Sequence, residues 1–295
     1  MPSGSCVAAV LLLWMLMPST AIVALLSLAA AISWGAGDFS GGVASRKSNV
    51  YGVVLVAYVV GLIFTIIMAL IVHDPWPGWH SMAWGAAAGV AGGVGLTSLY
   101  RSLAIGTMGI NAPIASVVTG ILPIAFTFLT LGLPTRTQLA GFILALVAIW
   151  LIAMPPGGLA RPKGIGLALL AGVGFSGFLL FIKLAGSEAK FWPLAGARAA
   201  SFIVVALFAI ATGQDWKPQR SFLPAKILCG IFDSVGNFLF IFAVARGRLD
   251  VDAVLSSLYP ASTLILARMV LKERIAKLQA VGIALALMSV ALIAM

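Results

Sequence analysis

The sequence predicts an all-α integral membrane protein, ten transmembrane helices laid out as two inverted five-helix repeats. Three observations predict it. Apolar residues make up 62% of the chain and charged residues only 9%, with a mean hydropathy of +1.13; a soluble domain is about a quarter charged. The apolar residues fall into ten runs near the ~20 residues that a helix needs to cross a bilayer. Finally, residues 236–295 lie without a gap on residues 95–154 when shifted by 141 positions, with 15 of 60 pairs identical. The identities include Gly95/Gly236, Gly106/Gly247, Gln138/Gln279, Gly141/Gly282 and the closing Leu-Ile-Ala-Met of both copies. Apolar composition inflates such matches, but ungapped glycines and a glutamine at fixed offset mark one unit written twice.

The expected spans run over 20–43, 50–73, 81–104, 109–132, 137–154, 164–186, 191–212, 222–246, 249–271 and 276–295. Backbone polar groups in lipid have to be satisfied within the segment, so each run is a helix. Residues 21–154 form the first five-helix repeat and 164–295 the second. The polar break at 155–163, with Pro155-Pro156-Gly157-Gly158, Arg161 and Lys163, is the linker. Five spans per unit is odd, so the second unit crosses the membrane in the opposite sense, an arrangement found in many secondary transporters. Residues 1–20 have no partner in the repeat. The apolar stretch Val7 to Met17 is short for a span and lacks a basic start. An over-extended start, with Met15 or Met17 as the true first residue, is expected; native peptides from Ser3 to Trp14 would remove that expectation.

Charge places the basic residues between spans. Ten (Arg46, Lys47, Arg161, Lys163, Lys217, Arg220, Lys226, Lys272, Arg274 and Lys277) flank one set of connections, and five (Arg136, Lys183, Lys190, Arg246 and Arg248) flank the other. The positive-inside rule accounts for the formal charge of +10 without nucleic acid, and it puts the ten-residue set in the cytoplasm.

Small residues and prolines indicate how the helices meet. Gly85, Gly89 and Gly93 recur every fourth residue in span three, a ridge without side chains along which a second backbone packs closely. Gly37 and Gly41 repeat the spacing. Pro123 and Pro260 are expected to interrupt spans four and nine and to free carbonyls that line a cavity.

Ionisable residues inside spans are the strongest functional pointers, because charge in the bilayer is expensive. Asp233 lies mid-span eight with Asn237 one turn later, Asp38 follows Trp34 by one turn in span one, and Arg198 lies in span seven. Asp233 is read either as a protonatable group lining a cavity or as a fixed partner of Arg198; Arg101 and Arg268 are read as snorkelling near helix ends. His73 and His80 bracket Asp74, Trp76 and Trp79; an aromatic belt explains this loop better than a metal site. With no Gly-Lys-Ser/Thr phosphate loop, ATP hydrolysis is excluded, and no histidine lies inside a span to build a catalytic dyad. Neither catalytic residues, a metal nor a cofactor are expected. Cys6 and Cys229 are too few for a disulfide framework.

The second half carries Ser257-Leu258-Tyr259-Pro260, then Leu271-Lys272-Glu273-Arg274, then Gln279 and Gly282. With Trp34-Gly35 and Arg198, this pattern resembles the EamA type of the drug/metabolite transporter superfamily, over about residues 21 to 295. Two departures stand out: Leu131-Gly132-Leu133-Pro134 lacks the acidic residue of the helix-end pair, and span two carries Tyr58 but no counterpart of Arg198. The resemblance implies a multi-pass permease of a bacterial-type plasma membrane, with both termini cytoplasmic, against the charge count. It also implies that spans one to four and six to nine surround a central cavity, with five and ten outside it.

The expected function is secondary-active or facilitative transport of a small organic metabolite by alternating access. The solute is amino-acid-like or an organic cation, export is the expected direction, and a proton is a candidate coupling ion. The expected pathway residues are Trp34, Asp38, Arg198, Asp233, Asn237, Ser257 and Tyr259. Asp233 would be the protonatable or cation-facing group, Arg198 the partner of Asp233 or of a solute carboxylate, and Trp34 and Tyr259 apolar walls. The alternatives are uptake of a sugar or nucleotide-sugar, and a membrane enzyme or scaffold. Scattered single polar residues fit an enzyme poorly. Partners are the solute and the bilayer; sequence leaves monomer and homodimer both open. Charge differs between the copies at Asn111/Asp252, Thr127/Arg268, Gly132/Glu273 and Gly92/Asp233, which locates the chemistry mainly in the second half.

Overall fold

The computed structural model describes residues 19–106, 108–154, 163–186, 188–217, 219–270 and 276–294. Residues 1–18, where an over-extended start is expected, most of the linker and the Leu271-Lys272-Glu273-Arg274 motif lie outside these residues. All described elements are helices: α1 Ser19–Lys47, α2 Val50–Ile71, α3 Gly78–Ile105, α4 Met108–Leu131, α5 Arg136–Ala153, α6 Ile165–Leu184, α7 Phe191–Ala211, α8 Leu223–Val244, α9 Leu249–Ser256, α10 Tyr259–Val270 and α11 Lys277–Ala294. Eight segments are long and apolar enough to cross a membrane, counting Leu249–Val270 (α9 with α10) as one. Helices α5 and α11 are apolar but only 18 residues each, about 27 Å at 1.5 Å per residue. The protein is an integral, multi-pass membrane protein.

Local chemistry explains where helices start. Asn49 caps α2 by accepting from Gly52 N at 2.5 Å. Thr135 and Gln138 form a reciprocal capping box at the start of α5, each bond 3.2 Å. The repeat's matched glutamine does the same work at α11, where Ala276 N donates to Gln279 Oε1 at 2.9 Å. At α7 the cap comes from a distant loop: the Asp74 carboxylate accepts from Lys190 N, Phe191 N and Trp192 N, at 2.8 to 3.2 Å. A carboxylate placed on the free N–H groups of a helix start also complements its dipole. The aromatic loop holding Asp74 exposes Trp76 and Trp79, whose rings meet edge-on at 5.5 Å.

Helix pairs form where side chains are smallest. α3 packs along α7 in parallel, Gly85 against Pro193, Gly89 against Ala197 and Gly93 against Ser201, and Ser201 Oγ donates to Gly89 O at 2.7 Å. α8 packs along α2 in the same sense, Gly230 against Ala57 and Ser234 against Gly61. α1 lies antiparallel on α8 and α3 antiparallel on α6, with Gly236 under Trp34 and Gly95 under Phe175. α5 and α11 pack on each other, Gly141 against Ser289 and Ile293, Gly282 against Ala148 and Ile152. Apart from Gly85 against Pro193, each of these contacts has its counterpart 141 residues away, to within a residue.

Two prolines behave differently from each other. Pro260 sits where α9 gives way to α10 after Ser257, as expected. Pro123 does not interrupt its span: α4 runs continuously through Pro113 and Pro123. The carbonyl deprived of its donor, that of Thr119, lies 3.3 Å from Ser176 Oγ of α6, so the helix loses one bond without losing its path. At the α9–α10 break, the Ser257 carbonyl accepts from Ser116 Oγ of α4. Ser116 and Ser257 are identical residues 141 apart. The two copies therefore touch each other at equivalent positions.

Candidate functional site

A cavity opens between the helices, lined by Trp34, Asp38, Tyr58, Gly92, Leu96, Thr119, Phe175, Phe178, Leu179, Arg198, Ser201, Asp233, Asn237, Ser257 and Tyr259. All seven residues expected on a pathway from the sequence line it. Helices α1 to α4, α6 to α8 and the α9–α10 break contribute; α5 and α11 contribute none.

The polar groups converge on one side. Arg198 Nη2 lies 2.5 Å from Asp233 Oδ2 in an ion pair between α7 and α8. Arg198 is 5% exposed, and its guanidinium stands 5.7 Å from the centre of the Tyr58 ring, within cation–π range. Tyr58 Oη in turn donates to Gly92 O at 3.2 Å, tying α2 to α3. Asn237 Nδ2 donates to Asp233 O at 2.8 Å, so its amide is anchored on its own helix one turn below. Trp34 packs on Phe240 with ring centres 5.7 Å apart.

Asp38 is different in kind. It is 8% exposed and lines the cavity. Among the described residues its carboxyl makes no hydrogen bond and no ion pair. Its place follows from α1–α8 packing: at the adjacent Gly37 a Cβ would stand 3.4 Å from Asp233 N, so the two backbones close together here. Asp38, expected from the sequence on the pathway, lies inside the bundle. Most of the polar lining comes from the second half: Arg198, Ser201, Asp233, Asn237, Ser257 and Tyr259. Asp38 from the first copy joins Asp233 and Asn237 from the second on one wall, because α1 packs on α8.

The opposite wall is apolar, with Leu96 of α3 and Phe175, Phe178 and Leu179 of α6. Sequence reasoning missed these residues, and the repeat carried the signal: Phe175 and Leu179 are the 141-residue counterparts of Trp34 and Asp38, and Leu96 that of Asn237. Tyr58, Thr119 and Ser201 were missed for want of any charge or motif. The uncharged lining groups Tyr58, Thr119, Ser201, Asn237, Ser257 and Tyr259 are hydrogen-bonded within the protein. Ser201 Oγ donates to Gly89 O and Ser257 Oγ to Ala253 O at 2.6 Å.

Residues singled out outside the cavity fall elsewhere. Gly85, Gly89 and Gly93 form the α3–α7 contact, although Gly92 beside them faces the cavity. Arg101 and Arg268 are exposed, away from the ion pair. Lys226 is fully buried near the start of α8 and donates from Nζ to Gln219 O at 2.7 Å. His73, His80 and Asp74 stay in the exposed loop and helix start, and among the described residues no cluster of ligands could hold a metal.

A family model, that of the EamA-like transporter family, matches residues 162–295. The match makes this part of the chain, a little under half of it, similar to that family. No curated protein matches the sequence significantly. Among solved structures, 28 chains match. One, described only as "Crystal structure of protein", is similar at a TM-score of 0.69 and 18% identity, over 92% of this chain and 95% of that one. At that identity the likeness is one of fold alone.

Proposed function

Taking residues 162–295 as an EamA-like transporter unit, we propose that the chain is a secondary transporter of two inverted five-helix repeats. It moves a small organic solute bearing a positive group by alternating access, in a bacterial-type plasma membrane and with export as the working direction. The observation that carries this reading is Asp38, a carboxyl inside the cavity with no hydrogen-bond or ion-pair partner among the described residues. With both acids ionised, Arg198, Asp233 and Asp38 sum to one negative charge. An uncompensated charge in a low-dielectric cavity costs several kcal/mol. A solute cation removes that cost on the loaded passage, and a proton on Asp38 removes it on the return.

The rest of the cavity fits an amphipathic solute. An amine-bearing molecule places its charged end at Asp38 and its apolar body against Phe175, Phe178 and Leu179. Arg198, already held by Asp233, positions the wall rather than offering a free cation. The inverted-repeat layout is supported by contacts recurring at an offset of 141. Rocking is supported by the same recurrence: α1 on α8 and α3 on α6 are equivalent interfaces, so loosening one while tightening the other moves the opening from end to end.

The test is counterflow in proteoliposomes against pooled labelled metabolites, followed by single candidates. Wild type should exchange one or more amine-bearing solutes, and Asp38→Asn should reduce that exchange at least tenfold and flatten its pH profile. An Asp38→Asn protein with unchanged solutes, rate and pH profile refutes the assignment.

A further inference from the structure

The two copies place different chemistry at one buried position, Asn111 near the start of α4 and Asp252 near the start of α9, 141 residues apart and each fully buried. In the first copy the amide works as a latch. Asn111 Nδ2 donates to Ser102 O of α3 at 3.0 Å and to Lys163 O, just before α6, at 2.9 Å. Gly106 and Gly164 let these backbones close around it. Ser102 Oγ adds a bond to Gly164 O at 3.0 Å. The ends of α3, α4 and α6 are thereby held together at one mouth of the bundle.

At the other mouth Asp252 occupies the same place between α1, α8 and α9. Ser27 Oγ of α1 lies 2.5 Å from Asp252 Oδ1 and 2.7 Å from Val23 O. Asp252 Oδ2 is buried with no hydrogen-bond partner. A carboxylate can only accept, so it cannot reproduce the two bonds that Asn111 donates; a carboxylic acid can donate one. The corresponding carbonyls are those of Ala243 and Ile22. The surrounding charges do not neutralise Asp252. Arg248 is spent on Asp250, with Nε and Nη2 at 3.1 and 2.8 Å from its two oxygens. Lys183 of α6, whose field reaches Asp252, donates to Val244 O at 3.2 Å and is itself exposed. Arg246 after α8 and Arg136 of α5 are exposed, and the facing stretches of α1 and α4 carry no ionisable side chain.

We propose that Asp252 is a proton-binding site that latches this mouth: protonated, it holds α1, α8 and α9 closed as Asn111 does at the opposite mouth; deprotonated, it lets them part and admit water. One mouth thus has a latch insensitive to pH and the other a latch that follows it. Protons taken up from the water at the Asp252 side close that side, which couples the direction of opening to a proton gradient. The proposal rests on the alternating-access reading, but its test needs no solute.

Full-length protein with Cys6 and Cys229 changed to Ser receives one cysteine, Ser256→Cys, one turn from Asp252 on the same buried face. Labelling by a membrane-impermeant maleimide is followed from pH 6 to pH 9 in nanodiscs, with and without Asp252→Asn. The Asp252→Asn protein carries the amide of the first copy and shares the thiol's own pH dependence, so dividing one labelling rate by the other isolates the latch. The labelling rate with Asp252 intact, divided by the rate in the Asp252→Asn variant, should rise at least fivefold over that range. Superimposed profiles overturn the proposal, as does a gain that follows sodium at fixed pH rather than protons. Hydrogen exchange across residues 249–256 of the unsubstituted protein, corrected for intrinsic rates, decides if the cysteine variant does not fold: exchange should accelerate with pH and become flat in Asp252→Asn, and equal slopes overturn it. If counterflow fails for every solute while labelling follows pH, the gate stands and the transport reading falls.

Discussion

Neutralising one partner of the Arg198–Asp233 pair should cost more than neutralising both. At 2.5 Å and an effective dielectric near 20, the gross attraction is roughly 7 kcal/mol. Desolvation of both ions offsets most of this, and single removals from buried pairs cost about 3–5 kcal/mol because a lone charge is left behind. Asp233 faces the cavity, with its side chain 20% exposed, so water screens part of the residual charge and the lower end applies. Asp233→Asn is expected to lose about 2–3 kcal/mol. Arg198→Gln should lose a similar amount, and the double variant should recover about half of the summed loss. Unfolding in mixed micelles titrated with a denaturing detergent gives the four stabilities. Transport separates structure from positioning: the double variant should regain stability while its counterflow stays depressed. Singles within about 0.5 kcal/mol of wild type, with no coupling, would refute the view that the pair is a buried, mutually dependent unit.

Two further outcomes test the frame around the cavity. At Gly89 a Cβ would fall inside the Ala197 backbone, whereas at Gly166 nothing lies within 4 Å; Gly89→Ala should cost about 1–3 kcal/mol by overpacking, and Gly166→Ala should stabilise by about 0.5–1 kcal/mol, both read by the same detergent titration. Asp74→Ala removes three acceptances at the start of α7 and should cost about 1–2 kcal/mol, visible as faster hydrogen exchange at residues 190–194 with little change at α8.

Much of this was legible in residue order. The matched Gln138 and Gln279 proved to be equivalent N-terminal caps, and Gly141 and Gly282 equivalent contacts between α5 and α11. Such residues repeat because a duplicated frame needs the same backbone approach twice, and a glycine admits few substitutes there. Pro123 was misjudged because proline alone says only that one bond is missing. Whether the helix then breaks depends on what surrounds the orphaned carbonyl, here with the Ser176 hydroxyl 3.3 Å away, from a residue 57 positions further along the chain.

The sequence by itself determined the solvent, the 141-residue offset at which residues recur and the set of polar residues too costly to leave in lipid; it predicted ten spans where eight described segments are long and apolar enough to cross. Composition and periodicity are properties of the chain that survive any packing. Only the tertiary structure decided which of those polar residues neutralise each other. It gave Asp233 to Arg198, left Asp38 without a partner among the described residues, and set Asp252 where the other copy keeps an amide. Pairing is a matter of distances of a few ångströms between helices far apart in sequence, and no one-dimensional pattern encodes those distances.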